Sequence, residues 1–352
     1  MRQPRLLFLV SGRNVPSTEY RILPFISGLR KAGFRCVVAS GYPGKYDSND
    51  FLGWRFSQKL KRLSFWSHLL RAKVFRPDIV VVERELFDNP TFDLEERFRR
   101  VGRHMVLDVD DAIFLRYPEK FAWLCRESDL VLAGNPNLVE YAQQYSSAVQ
   151  LFPTVVDTKL YPLNHREPDD ELPIVGWIGT DSNVAYLEQI LPALCRSYER
   201  TPFRLRIVTG KESSVADLRK KSPFVEFRAW DSETATGEIA RFSVGIMPLP
   251  DEEWARYKCG FKLLQYMAAG RAAIASPVGV NQEIIQHGEN GFLASTETEW
   301  SNGLLRLLED AQLRKRMGQA ARKRVEEDFS VQSALPKLID SFQKLLEQSK
   351  SG

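Results

Sequence analysis

The stretch 258–283 constrains the fold most, because it alternates glycine-bounded apolar runs with short turns. Gly260 precedes an apolar run with helical spacing, and Gly270 follows that run as glycine commonly does at helix C-termini. Residues 272–275 predict a short strand, and the turn at 277–279 precedes a second predicted helix. The order loop, helix, strand, loop, helix is typical of half of an α/β nucleotide-binding unit.

Two cationic side chains accompany the first glycine loop of this stretch. Unpaired backbone N–H groups and the helix dipole attract anions to a helix N-terminus. Lys258 and Lys262 lie beside the first predicted N-terminus. We therefore predict that a diphosphate binds here. The alternative is an ordinary α/β helix with two solvated lysines.

Length and composition favour a two-domain globular protein. The chain has 352 residues, with 43% hydrophobic and 27% charged side chains. Its net charge of +4 does not indicate a nucleic-acid-binding protein, which would concentrate basic residues on one face. The four cysteines have neither zinc nor redox spacing, so we expect reduced thiols in a cytoplasmic protein. The apolar run 6–10 is too short for a signal-peptide core and predicts a first strand.

The first half of the chain carries a series of short apolar runs bounded by turn residues. Such runs are typical of strands buried in a parallel sheet. The predicted strands are 6–10, 34–39, 78–82, 105–109 and 129–133. Ligands of such sheets bind at the carboxyl ends of the strands. Gly12, Arg13 and Arg21 follow the first strand and are candidate acceptor-side or phosphate contacts. The alternative for either arginine is a solvated surface side chain.

Carboxylates follow two of these strands. Glu83 comes after strand 78–82, and Asp110 and Asp111 come after strand 105–109. These three are the candidate catalytic residues, because carboxylates at the carboxyl ends of parallel strands point into the crevice where ligands bind. The acidic cluster also suggests a cation site, whereas acids after strands commonly cap the next helix. We predict neither a metal nor a cofactor.

The segment 51–76 is strongly basic and contains no acidic residue. Its aromatic residues, interleaved with the basic ones, are Phe51, Trp54, Phe56, Phe65, Trp66 and Phe75. A basic helix with an aromatic face is suited to an anionic membrane surface. The alternative is an amphipathic helix whose aromatic side chains pack on the sheet.

The second predicted domain begins with strand 174–178, after a polar linker at 164–173. Gly179 and Thr180 form the turn after that strand. The predicted division is therefore 1–163, 164–173, 174–330 and a C-terminal helix at 331–352.

The central stretch resembles the C-terminal-domain signature of retaining GT-B glycosyltransferases of family 4. The matching residues are Gly260, Gln265-Tyr266-Met267-Ala268-Ala269-Gly270, Ser276-Pro277-Val278-Gly279, Glu283 and Gly288-Glu289-Asn290-Gly291-Phe292-Leu293. The resemblance implies an α/β fold of two facing, doubly wound Rossmann-like domains with a cleft between them. It also implies that the C-terminal helix crosses back to the first domain.

The resemblance further implies transfer of a sugar from a nucleotide-diphosphate sugar to a hydroxyl of a saccharide or lipid-linked saccharide, with retention of configuration. Such an enzyme would act in cell-surface polysaccharide or glycoconjugate synthesis, in the cytoplasm or on the inner face of the membrane. The donor-binding residues would be Gly179, Thr180, Lys258, Gly260, Phe261, Lys262, Gln265, Val278 and Gly279. Among them, Gln265 would contact the ribose.

The sequence departs from the family pattern at two positions. The family usually has two glutamates eight residues apart, where this chain has Tyr257 and Gln265. An amide can still hydrogen-bond hydroxyl groups, whereas Tyr257 cannot supply the charge of the first glutamate. Two alternatives to a transferase function therefore stay open. One is a nucleotide-sugar epimerase on the same fold, and the other is a non-catalytic sugar-nucleotide-binding scaffold.

Overall fold

The computed structural model describes residues 2–44, 53–163 and 172–348. These residues form two compact units. Unit 1 comprises Met1–Val155, Tyr257–Cys259 and Val331–Gly352, and unit 2 comprises Val156–Arg256 and Gly260–Ser330. Most of the predicted linker 164–173 lies outside the described residues.

Unit 1 contains a six-stranded parallel sheet flanked by helices. Its elements are β1 (Arg5–Val10), α1 (Leu23–Lys31), β2 (Arg35–Ser40), α2 (Gly53–Phe75), β3 (Ile79–Glu83), α3 (Asp93–Arg99), β4 (His104–Val109), α4 (Pro118–Glu127), β5 (Leu130–Ala133), α5 (Pro136–Gln143) and β6 (Val149–Leu151). The strand order is β2-β1-β3-β4-β5-β6, and neighbouring strands run parallel. Every residue of β3 is buried, as its continuous apolar sequence predicts.

Unit 2 contains a second six-stranded parallel sheet. Its elements are β7 (Ile174–Ile178), α6 (Leu191–Arg200), β8 (Arg204–Thr209), α7 (Ala216–Lys221), β9 (Val225–Ala229), α8 (Ala235–Ala240), β10 (Val244–Met247), α9 (Glu253–Arg256), α10 (Phe261–Ala268), β11 (Ala272–Ala275), α11 (Asn281–Ile284), β12 (Phe292–Leu293), α12 (Glu297–Glu309) and α13 (Ala311–Asp328). The strand order is β12-β11-β10-β7-β8-β9. Two such sheets with covering helices constitute the α/β architecture that the sequence predicts.

The last helix, α14 (Val331–Gln348), belongs to unit 1. Its Leu335 lies over Gly28 of α1, where a Cβ atom would come within 2.3 Å of the leucine side chain. Phe342 of the same helix packs edge-on against Phe34, with ring centroids 6.3 Å apart. The missing side chain at Gly28 therefore lets α14 pack closely on α1.

Proline residues lie at the ends of two elements. Strand β6 is only Val149–Leu151, and Pro153, two residues later, has no N–H to donate to a neighbouring strand. The segment after β7 is a 3₁₀ helix, Asp181–Ile190, followed by α6. Pro192 lies in the first turn of α6, where its missing N–H has no intrahelical partner to lose.

Each sheet has a point where the direction of strand addition reverses. In unit 1 it lies between β1 and β3, and in unit 2 between β7 and β10. Crossover connections leave in opposite directions at such a point, which opens a crevice at the carboxyl ends of the strands. Each unit therefore has one preferred edge for a ligand.

In unit 2 the two strands at this point separate, and the Tyr266 side chain bridges them. The ladder between β7 and β10 pairs Gly176 with Gly245 and then stops. The Tyr266 hydroxyl accepts a hydrogen bond from the Ile178 amide at 3.1 Å and donates one to the Ile246 carbonyl at 3.3 Å. It thereby satisfies two buried backbone groups that the separating strands leave unpaired.

The two strand glycines let large aromatic rings rest directly on the sheet. A Cβ atom on Gly176 would lie 2.1 Å from the Phe242 ring, and one on Gly245 would lie 2.4 Å from the Tyr266 ring. Gly237, which lies on α8, has open space around it.

We predict that Gly176→Ala lowers the free energy of unfolding by about 1–3 kcal/mol, because the added methyl group overpacks a closed core. Gly237→Ala is the matched control, and we expect it to raise stability by about 0.5–1 kcal/mol because the substitution favours an exposed helix. Thermal and urea denaturation of both variants would measure the difference. Equal stability of the two variants would contradict the close packing of Phe242 on β7.

Candidate functional site

The carboxyl edge of the unit 1 sheet gathers buried charge, beginning with Glu83. This side chain is 0% exposed. Its oxygens accept hydrogen bonds from the Ser11 amide and from the hydroxyls of Ser17 and Thr18. Burial raises the pKa of Glu83 to about 7, although Arg84 and the hydroxyl donors oppose the rise. Glu83 therefore fixes the loop after β1, which gives this predicted catalytic residue a positioning role.

Arg84, the next residue, holds the predicted acidic pair. Its Nη1 lies 3.8 Å from the Asp110 carboxylate and 3.7 Å from that of Asp111. The backbone of Arg84 has a φ of +53°, which few non-glycine residues adopt. The side chain is 7% exposed, and its Nε and Nη2 have no hydrogen-bond partner among the residues that the structure describes. Strain and unpaired donors together mark Arg84 as part of a functional edge.

Asp110 and Asp111 lie side by side after β4 and are partly accessible. Their side chains are 18% and 28% exposed. Burial, and then the neighbouring charge of Asp110, raise the pKa of Asp111 to about 6, while Arg84 opposes the rise. A carboxyl that titrates near neutral pH is suited to accept a proton from a hydroxyl. Within the described ranges, no three His, Cys, Asp or Glu side chains are grouped to hold a metal ion.

Arg21, a predicted acceptor or phosphate contact, is buried at 2% exposure. It forms a forked pair with Asp108, with nitrogen–oxygen distances of 2.9 and 2.6 Å. Its remaining Nη1 donates to the Thr154 hydroxyl at 3.0 Å. These donors are therefore used inside unit 1, where they join the helical turn after β1 to the ends of β4 and β6.

The other two residues predicted beside Arg21 lie in the loop after β1. Gly12 is buried, and its carbonyl accepts a hydrogen bond from the Val15 amide. Arg13 is exposed, as the alternative of a solvated arginine anticipated.

Residues 257–259 lie beside these acids in unit 1. The Tyr257 ring packs edge-on against Phe114, with centroids 4.8 Å apart, and its carbonyl accepts a hydrogen bond from Asn135 at 2.6 Å. The Cys259 thiol donates to the Asp110 carbonyl at 3.2 Å. The positive charge of Lys258 opposes the rise in the pKa of Asp111 that burial causes. The charge of Lys258 therefore acts on Asp111 within unit 1, and contact of Lys258 with a diphosphate stays a prediction.

Lys262 lies in the first turn of α10, on the carboxyl side of the unit 2 sheet. Its ammonium is 4.2 Å from the centroid of the Trp177 ring. Trp177 is 1% exposed and fixed in β7, so this cation–π contact holds the lysine in place. A Cβ atom on Gly179 would lie 2.4 Å from the Lys262 Nζ. The missing side chain at Gly179 therefore provides the space that the ammonium fills.

The Gly179 amide itself donates to the Val208 carbonyl at 3.0 Å. This N–H is used in the sheet, so the contribution of Gly179 to a diphosphate site is space for Lys262. Thr180 is exposed, and its hydroxyl accepts a hydrogen bond from Asn183 at 3.0 Å. The hydroxyl of Thr180 is thus oriented by the segment that follows β7.

The two predicted glycine loops have the conformations that only glycine adopts readily. Gly260 caps α10 with a φ of +66°, and Gly279 has a φ of +53°. A Cβ atom at Gly260 would come within 2.5 Å of Ile284, and one at Gly279 within 2.5 Å of the Arg256 carbonyl. Phe261 and Lys262 form the first turn of α10 directly after Gly260, so the N–H groups and the ammonium are at the same helix end.

Two further predicted donor residues are buried. Val278 is 6% exposed, and its amide donates to the Ser276 carbonyl at 2.8 Å. Gln265 is also 6% exposed, and its Nε2 donates to the Tyr161 hydroxyl at 3.0 Å. This contact holds the Gln265 amide within unit 2, and contact with a ribose stays a prediction.

Comparison with known proteins finds a family match within unit 2. Residues 172–310 match the family model described as glycosyl transferases group 1. A segment of 95 residues is 33% identical to the N-acetyl-alpha-D-glucosaminyl L-malate synthase of Bacillus anthracis, covering 26% of this chain and 25% of that protein. The chain thus matches about a quarter of the length of this curated relative.

Solved structures extend the likeness over nearly the whole chain. Sucrose-phosphate synthase from Thermosynechococcus elongatus superposes with a TM-score of 0.71 at 16% identity, covering 98% of this chain and 100% of that one. The Anabaena protein HepE, solved in complex with UDP and glucose, superposes with a TM-score of 0.68 at 15% identity, covering 97% and 100%. The predicted family and GT-B fold are confirmed.

Two residues at the carboxyl edges of the sheets, Arg84 in unit 1 and Trp177 in unit 2, were not predicted as functional from the sequence. Arg84 is the centre of a Glu-Arg-Glu run at a strand end, which was its only signal. Trp177 precedes Gly179 by two residues in a buried strand, and nothing in that pattern indicates that Lys262 reaches it.

Proposed function

We propose that this chain is a glycosyltransferase that moves a sugar from a nucleotide-diphosphate sugar to a hydroxyl of a saccharide acceptor. The observation that carries the proposal is the Lys262 ammonium, held over Trp177 in the first turn of α10. A cation and a helix N-terminus at the switch point of a parallel sheet form a site for a diphosphate. The family match of unit 2 supports the same assignment.

The chemistry follows from where charge develops. When the glycosidic bond to the donor breaks, negative charge grows on the departing diphosphate. Lys262 and the N-terminal dipole of α10 are in place before the reaction, so they stabilise that charge without reorganising. The ammonium supplies positive charge that a metal ion would otherwise provide, and we propose that no metal is required.

For the acceptor, we propose that Asp111 accepts the hydroxyl proton. Arg84 lies 3.7 Å from this carboxylate and 3.8 Å from that of Asp110. It keeps two like-charged groups adjacent and leaves Asp111 with a pKa of about 6. Glu83 fixes the loop beside them. We also propose retention of anomeric configuration, for which the hydroxyl attacks from the face that the diphosphate leaves.

For the donor base, UDP is the first candidate. HepE, one of the structural neighbours, was solved with UDP and glucose. The acceptor class that we propose is a saccharide or a lipid-linked saccharide of surface glycoconjugate synthesis, and its identity requires an acceptor screen.

We predict that UDP raises the melting temperature of the wild-type chain and that Lys262→Ala weakens UDP binding by about 10–100-fold, because one charge-assisted contact is lost. Gly179→Ala should weaken it as well, because the added methyl group displaces the ammonium. Lys323→Ala, an exposed lysine of α13, is the matched control. Calorimetric titration with UDP, GDP, ADP, dTDP and CMP would measure the affinities.

Product analysis with UDP-sugars then separates the possible activities. A transferase releases UDP in proportion to glycosylated acceptor, and NMR of the product reads its anomeric configuration. A new sugar isomer without release of UDP would show an epimerase. If wild type and Lys262→Ala bind every nucleotide equally weakly, the diphosphate site is wrong.

We predict that Asp111→Asn lowers kcat by about 10²–10⁴-fold while UDP affinity stays unchanged, because the proton acceptor is lost and the donor site is not. A base must be ionised, so wild-type kcat should fall as the pH decreases through about 6. Asp88→Asn, an exposed aspartate of unit 1, is the control. A pH profile of Asp111→Asn with the same acidic limb and unchanged kcat would contradict this role.

A further inference from the structure

Helix α2 has two apolar faces, and the fold uses only one of them. Phe65, Leu69 and Ala72 on the first face are at most 2% exposed. The opposite face carries Phe56, Leu63, Leu70 and Val74, which are 47%, 64%, 61% and 83% exposed. Among the described residues, these are four of the eleven large hydrophobic side chains that the surface exposes. Among the described residues, no other helix or strand exposes more than one such side chain.

The spacing of these four residues makes them a continuous row. Phe56, Leu63 and Leu70 are seven residues apart, which is about two helical turns at roughly 3.6 residues per turn. Val74 is four residues beyond Leu70 and continues the same line. We call this row, Phe56-Leu63-Leu70-Val74, the outer row of α2.

Positive charge lies on both sides of the outer row. Lys59 and Arg71 are exposed and flank it, while Arg55 and Lys73 are exposed further round the helix. Helix α2 contains six basic residues and no acidic one. Arg62 is the exception among the surface cations, because it pairs with Asp93 of α3.

Two of the aromatic residues that the sequence suggested for a membrane-facing surface pack inside unit 1 instead. Phe65 is fully buried, and Trp66 lies under the Arg97 guanidinium at 4.8 Å. The prediction that these aromatic residues face a membrane is therefore corrected, because they pack within unit 1. Phe51 and the side chain of Trp54 lie outside the described part of the chain.

We propose that the outer row of α2 docks on an anionic lipid bilayer. An apolar row flanked by lysine and arginine lets a helix lie in the plane of the interface, with the aliphatic side chains in the acyl boundary and the cations at the headgroups. None of the helices in the described ranges is both long enough and apolar enough to span a bilayer.

Charge distinguishes this partner from a second copy of the chain. Two copies of α2 meeting through their outer rows would bring like charges together on both sides, which opposes association. Anionic headgroups supply the complementary charge over the whole length of the helix. The outer row shares no residue with the proposed donor and acceptor sites, so this proposal concerns where the chain works and not which reaction it performs.

The experiment is co-sedimentation of the full chain with vesicles of pure phosphatidylcholine and vesicles containing phosphatidylglycerol. We expect wild type to bind the anionic vesicles, less so at high salt. Leu63→Glu/Leu70→Glu removes the row, and Lys59→Glu/Arg71→Glu removes the flanking charge. Each should lower the partition coefficient by about tenfold or more. The control, Lys323→Glu/Lys344→Glu, makes the same change of charge on other exposed helices.

Circular dichroism and melting temperatures would confirm that each variant is folded, and light scattering would give its oligomeric state. Loss of binding in both α2 variants, with the control unchanged, would establish the surface. The proposal is overturned if wild type ignores anionic vesicles, or if all variants bind equally. It is also overturned if the α2 substitutions change only the oligomeric state, because a second copy would then be the occupant.

Discussion

The site in unit 2 depends on how closely helix α10 approaches the sheet. Gly245 has no side chain, so the Tyr266 ring rests on β10 and its hydroxyl reaches between β7 and β10. That contact fixes the helix beside the switch point of the sheet. Lys262, one turn earlier on the same helix, consequently meets Trp177 and the space left by Gly179. A larger residue at either glycine would move the ammonium away from the helix N-terminus that it reinforces.

The carboxyl edge of the unit 1 sheet carries a cluster of negative charge that must be compensated. Four carboxylates, Glu83, Asp108, Asp110 and Asp111, end two adjacent strands, and two arginines compensate them. Arg21 is committed to Asp108 through two short hydrogen bonds, which makes that pair structural. Arg84 lies farther from the accessible acids, and its Nε and Nη2 have no hydrogen-bond partner among the described residues. The contrast between the two arginines separates the supporting part of the edge from the part available to a substrate.

The sequence predicted what depends on local pattern. Continuous apolar runs located the buried strands, and the positive φ values of Gly260 and Gly279 are what their loop positions required. The family resemblance supplied the fold. Hydrophobic periodicity, however, shows that a residue is buried and does not identify its partner. The pattern therefore does not indicate that the charge of Lys258 acts on Asp111, or that Gln265 contacts Tyr161.

Helix α2 shows the same limit in another form. A helix with apolar residues on two faces has a weak overall periodicity, and composition alone cannot indicate which face the sheet covers. The aromatic residues drew attention in the sequence, whereas the exposed row consists mostly of aliphatic residues. The role of Arg84 could not be predicted from the sequence either. Its backbone has a positive φ, and its amide donates a hydrogen bond to the Asp108 carbonyl of the neighbouring strand, a pairing that only the folded sheet shows.

The most direct test of the central claim is a crystal structure of the chain with UDP at saturating concentration. The account predicts that a β-phosphate oxygen lies within about 3 Å of the Lys262 Nζ, at the N-terminus of α10, with the ammonium still against Trp177. Diphosphate density elsewhere on the chain, or a clear structure without UDP at this helix end, would contradict it.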